Sequence, residues 1–72
     1  MTRGEAMRAA RERKGMSVRG LAKIADISYM TIYRLESDEI GGALASVVRL
    51  ADALGLSIDE YIGHEVEPYD GA

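Results

Sequence analysis

Two short apolar patterns at helical spacing follow one another in this chain, with only Asp26, Ile27 and Ser28 to join them. Val18, Leu21, Ala22 and Ala25 form the first and predict a helix over roughly 18–25. Ile32 and Leu35 anchor the second, which covers about 28–36. Ser17 and Ser28 stand where each helix needs an N-cap, Asp26 tolerates turn geometry, and Ile27 can plug a core. This close pair constrains the fold more than any other feature of the sequence.

The rest of the chain supplies helices to surround the pair. Thr2 and Glu5 have capping-box spacing, Ala6, Met7 and Ala10 give a narrow apolar stripe, and Gly15 suits a left-handed helix end. Gly41-Gly42 is a clear break. Leu44, Val47, Val48, Leu50, Ala51 and Leu54 then make a broad stripe, expected to be core throughout, that ends at Gly55. Ser57 to Glu60 is another capping box and opens a last short helix through Tyr61 and Ile62. No strand pattern, internal repeat or heptad run appears, so an all-α domain is expected over 1–63. Residues 64–72, with Pro68, Gly71 and acids lacking periodicity, read as an acidic tail, flexible or ordered by a partner.

With 72 residues and no cysteine, stability has to come from apolar packing in one small domain. A 47% hydrophobic content without Phe or Trp points to an aliphatic core with little room for an active-site cavity. No apolar run approaches the about 18 residues of a membrane span. The opening MTRGEAMRAARERKG lacks the apolar region of a signal peptide, so a soluble cytoplasmic protein is expected. His64 has no companion ligands at metal spacing and no orienting partner for catalysis, and neither a metal, a cofactor nor an enzymatic activity is expected.

The formal charge of −3 hides an asymmetry. Residues 1–35 carry eight Lys and Arg against three acids, a net +5, while 36–72 carry one against nine, a net −8. An anionic partner would meet the first half. The candidate surface there is on the helix at 28–36. With Ile32 and Leu35 turned inward, Met30, Tyr33 and Arg34 point away and Tyr29 lies on the flank. Solvated faces are usually Glu, Lys and Gln, so this face has a partner to touch. Two short helices joined by a tight turn, the second with an outward polar-aromatic face, form a helix-turn-helix, which lays its second helix in the DNA major groove. Arg can bond guanine bidentately, tyrosine hydroxyls reach bases or phosphates, and Met can lie against a thymine methyl. Arg19 and Lys23 project from the first helix of the pair toward phosphate or solvent.

Residues 15–38, GMSVRGLAKIADISYMTIYRLESD, and 44–62, LASVVRLADALGLSIDEYI, resemble the Cro/repressor-type helix-turn-helix family, also called XRE-like. The likeness covers about residues 4–62 and implies a compact five-helix, repressor-like bundle whose helices two and three read DNA. By position it implies base contacts at Tyr29, Met30 and Arg34, with Tyr33 serving a base or a phosphate. It also implies phosphate contacts at Ser17 and Ser28, to which the projection of Arg19 and Lys23 adds two candidate phosphate contacts, and a structural ion pair between Arg11 and Glu36. The function implied is a sequence-specific transcriptional regulator of the phage or prokaryotic repressor type, bound to double-stranded DNA as a homodimer. The dimer surface is expected on helix five and the tail, at Leu56, Ile58, Tyr61, Ile62, Val66 and Tyr69.

Three departures from the family pattern bear on affinity. Val18 stands where Gln often holds a phosphate, Asp26 where Gly is common, and Ser37-Asp38-Glu39-Ile40-Gly41-Gly42 replaces a basic loop. Asp38 and Glu39 are expected near phosphates, where they would weaken backbone binding. The alternative reading is a protein-interaction module, such as an antitoxin or antirepressor, that docks a protein through the Tyr-Met-Tyr face.

Overall fold

A computed structural model describes residues 1–63, and their architecture is all-helical, five helices packed as a repressor-like bundle. The helices are α1 (Arg3–Arg13), α2 (Val18–Ala25), α3 (Tyr29–Glu36), α4 (Leu44–Leu54) and α5 (Ile58–Gly63). None is long and apolar enough to cross a membrane. The positions of His64, Val66 and Tyr69, and of the 64–72 segment as a whole, lie outside the described residues.

Local chemistry sets most helix ends. The Thr2 hydroxyl accepts from the Glu5 amide at 3.1 Å while the Glu5 carboxylate accepts from the Thr2 amide at 2.8 Å, closing a capping box on α1. Ser17 accepts from the Gly20 amide at 2.9 Å and starts α2. That helix stops because Asp26 turns left-handed at φ 56°, a conformation that Asp tolerates better than most residues. Ser28 occupies the cap position of α3, yet its hydroxyl makes no cap bond. The expectation that it caps is met in place but not in bonding, which leaves that hydroxyl free.

One core joins all five helices. Met7, Leu21, Ile32, Leu35 and Leu50 are fully enclosed, with Val47 and Leu54 of α4 and Tyr61 of α5 packed around them. Each such side chain contributes about 1.5–3 kcal/mol of burial. Ile27 packs against this cluster from the turn between α2 and α3, which fixes the second helix of the pair against the first.

The close approach of α1 to the end of α3 rests on Gly4. A β-carbon there would lie 2.5 Å from the carbonyl oxygens of Leu35 and Glu36. The chain has wrapped its first turn against the last turn of α3, and only a glycine permits that distance. Asp38, left-handed at φ 61°, then reaches back to this junction. Its Oδ1 accepts from the Gly4 amide at 2.9 Å and its Oδ2 from the Thr2 hydroxyl at 2.6 Å. The expectation that both loop acids lie where phosphates would sit is therefore corrected for Asp38. Its charge faces the positive end of α1, where free amides and the helix dipole favour an anion.

Two further expectations are overturned. Leu44 and Val48 of the α4 stripe are not core but 67% and 43% exposed. The helix buries Val47, Leu50, Ala51 and Leu54, and a narrower arc than the sequence suggested suffices to close this small bundle. Tyr61, expected on a dimer surface, is 4% exposed and belongs to the core. Leu56 and Ile58 also pack against the core, so of the expected surface only Ile62 stands open among the described residues.

Candidate nucleic-acid interface

The face of α3 opposite Ile32 and Leu35 carries Tyr29, Met30, Tyr33 and Arg34, all four exposed. Because Ile32 and Leu35 are fully buried, the helix cannot roll, and its outward residues are held at fixed angles. Tyr29 and Tyr33, one turn apart, meet edge to face with ring centroids 6.1 Å apart and planes at 82°. The Arg19 guanidinium of α2 lies 4.4 Å from the centroid of the Tyr29 ring. This cation–π contact ties the two helices together at the surface and leaves the guanidinium edge with free donors.

The N-terminal ends of α2 and α3 add hydrogen-bond donors. Ser17 spends its oxygen on the Gly20 amide but keeps a hydroxyl proton to donate. Ser28 has made no cap bond, so both its hydroxyl and the first amides of α3 are open to a ligand. Lys23 is exposed in the last turn of α2. Ser17, Ser28 and Arg19 thus lie next to the α3 face, Ser17 sharing the cleft with Tyr33 and Arg19 stacking on Tyr29.

A cleft of about 420 Å³ runs beside this face, lined by Arg8, Arg11, Ser17, Val18, Tyr33, Glu36 and Ser37. Its floor is the Arg11–Glu36 pair: Nε donates to Oε2 at 2.7 Å and Nη2 to Oε1 at 3.0 Å. Nη1 of Arg11 donates to the Met16 carbonyl at 2.8 Å. The hydrogen bond to Glu36 raises the pKa of Arg11 despite partial burial, so the guanidinium stays charged. Arg8 sits one turn before Arg11 on the cleft wall, and its Nε lies 3.3 Å from the Glu12 carboxylate in an exposed pair. Sequence reasoning passed over Arg8, although its i,i+3 spacing to Arg11 puts the two on one side of α1.

Among the described residues no group of His, Asp or Glu is arranged to hold a metal ion. Taken together, the site is an exposed aromatic and cationic helix face, with the N-terminal ends of two helices and a cleft walled by Arg8 beside it. Residues 7–61 match the family model described as helix-turn-helix. No curated protein matches the chain.

Proposed function

Because the chain belongs to the XRE-like helix-turn-helix family, whose members bind double-stranded DNA, we propose that it is a sequence-specific transcriptional regulator of the repressor type. Residues 1–63 are its DNA-binding unit and 64–72 an acidic appendage. Helix α3 enters the major groove, where Tyr29, Met30, Tyr33 and Arg34 meet base edges. Ser17, Ser28, Arg19 and Lys23 take phosphates on either side, and Arg8 extends that set along the cleft. Two copies bind half-sites about one helical turn apart, because one α3 spans too few base pairs for useful discrimination. Occupancy of the site then blocks transcription.

The observation that carries this reading is the pairing of an α3 anchored by the buried Ile32 and Leu35 with an exposed Tyr-Met-Tyr-Arg face. The inward turn of Asp38 supports it as well, since one of the two loop acids is held by hydrogen bonds against the start of α1. The same exposed aromatic pair would also suit a protein ligand, which is the competing reading.

Selection from a randomised duplex pool separates the two. An enriched palindrome is expected, with affinity that falls steeply as salt rises. Arg34→Ala should relax preference at one base pair by about 1–3 kcal/mol. Lys23→Ala should weaken all sequences alike and reduce the salt slope by about 1. No enrichment, with uniformly weak binding, would assign the α3 face to a protein.

A further inference from the structure

The core fixes the backbone of α3 but not the two rings that stand on it. Ile32 and Leu35 are buried, whereas Tyr29 and Tyr33 are 37% and 51% exposed. Tyr29 is also the first residue of its helix, so no preceding turn crowds its side chain toward one rotamer. An exposed tyrosine there can sample several χ1 wells, and each aims the hydroxyl at a different place. Two contacts act against that freedom. The Arg19 guanidinium lies over the Tyr29 ring, 4.4 Å from its centroid. The Tyr33 ring meets Tyr29 at 82°, with centroids 6.1 Å apart.

We infer that Arg19 is a positioning residue: stacked on Tyr29, it holds that ring and, through it, Tyr33 in one orientation, and so sets the base preference of the α3 face. The inference rests on the base-reading part of the proposed function. It gives Arg19 a role beyond a phosphate contact, and the chemistry of the side chain accommodates both. A guanidinium is planar, so one face can cover an aromatic ring while its edge donors stay open to an anion. Among the described residues Arg19 enters no ion pair, so no carboxylate competes with the ring for it. Its root is firm as well, because Val18 and Leu21 of the same helix are buried.

Backbone contact and base readout are thereby coupled. A phosphate bound at the edge of Arg19 keeps the guanidinium over Tyr29, and Tyr29 in turn keeps Tyr33 in place. Rings ordered before they enter the groove lose less freedom on binding and present their hydroxyls at defined angles. Arg19→Lys keeps the charge but removes the flat face, so one substitution separates the two roles.

Arg19, Tyr29 and Tyr33 are all exposed, so their variants are expected to fold, and urea midpoints near the parent's check this. In the free full-length chain, three-bond couplings measured by NMR should show one dominant χ1 rotamer for Tyr29 and for Tyr33. Arg19→Lys should average both. On the duplex enriched by selection, Arg19→Lys should leave the salt slope unchanged, because the charge remains. It should reduce discrimination by about 2- to 5-fold, the range of an exposed cation–π contact, at the base pairs whose preference Tyr29→Leu and Tyr33→Leu relax. In a Tyr29→Leu background the same exchange should have no further effect. Arg19→Ala should lose that discrimination and also lower the slope by about 1. Couplings that stay fixed in Arg19→Lys, or that are already averaged in the parent, would overturn the inference whether or not DNA is bound. Full discrimination in Arg19→Lys, with Arg19→Ala weakening all sequences alike, would leave Arg19 a phosphate contact and overturn it too. If no duplex is enriched, the base-reading function fails by itself, and the couplings still decide whether Arg19 holds the rings.

Discussion

Arg11 and Glu36, 25 residues apart, hold each other through two parallel hydrogen bonds between α1 and the last residue of α3. Their side chains are 12% and 7% exposed, so neither charge can recover full hydration if the other is removed. The third bond, to the Met16 carbonyl, extends the clamp to the turn before α2.

Arg11→Met is expected to cost about 3–5 kcal/mol, because it leaves the Glu36 carboxylate buried and unpaired. Replacing both residues by apolar ones should recover much of that loss. Urea unfolding of the single and double variants checks this, and equal midpoints for Arg11→Met and the parent would show that the pair contributes nothing.

Gly4→Ala places a methyl group 2.5 Å from two carbonyl oxygens of α3. Helix propensity alone would favour alanine by about 1 kcal/mol. Overpacking by one carbon costs about 1–3 kcal/mol, and here the obstacle is backbone. A net loss of stability is therefore expected, and a rise in the thermal midpoint would refute the close approach.

Asp38→Ala removes the acceptors of the Gly4 amide and the Thr2 hydroxyl and leaves alanine at a left-handed φ. A lost cap costs about 0.5–2 kcal/mol, and the left-handed backbone adds about 1 more. Asp38→Gly should lose only the cap contribution. The difference between the two variants in chemical denaturation measures the backbone share.

Tyr61 gives an alkaline limit. Burial raises its pKa above the ordinary 10.0, a rise that the nearby Arg3 charge opposes. The unfolded chain therefore releases this proton first. The contribution of neutral Tyr61 is complete below about pH 10 and is lost as pH climbs from there through the folded value. In a series of denaturation curves from pH 8 to 12, Tyr61→Phe should flatten part of the decline above pH 10. An unchanged slope would mean that the hydroxyl is as well solvated folded as unfolded.

What the sequence determined on its own was whatever depends on neighbours within one helical turn. The capping box of Thr2 and Glu5, the Ser17 cap and the left-handed stops at Gly15 and Gly55 are three- and four-residue relations, visible as spacing. The outward set on α3 was legible for the same reason, since Ile32 and Leu35 fix its opposite side. The tertiary structure decided the rest. Gly4 is needed because of carbonyls more than 30 residues away, and Asp38 turns inward because the start of α1 arrives beside it. Arg19 lies on Tyr29 only because of how α2 crosses α3. Leu44 and Val48 share helical spacing with true core residues, and hydrophobicity cannot say which part of a stripe the neighbouring helices will cover. Caps and periodicity are written along the chain, whereas burial is a property of the partners that folding brings together.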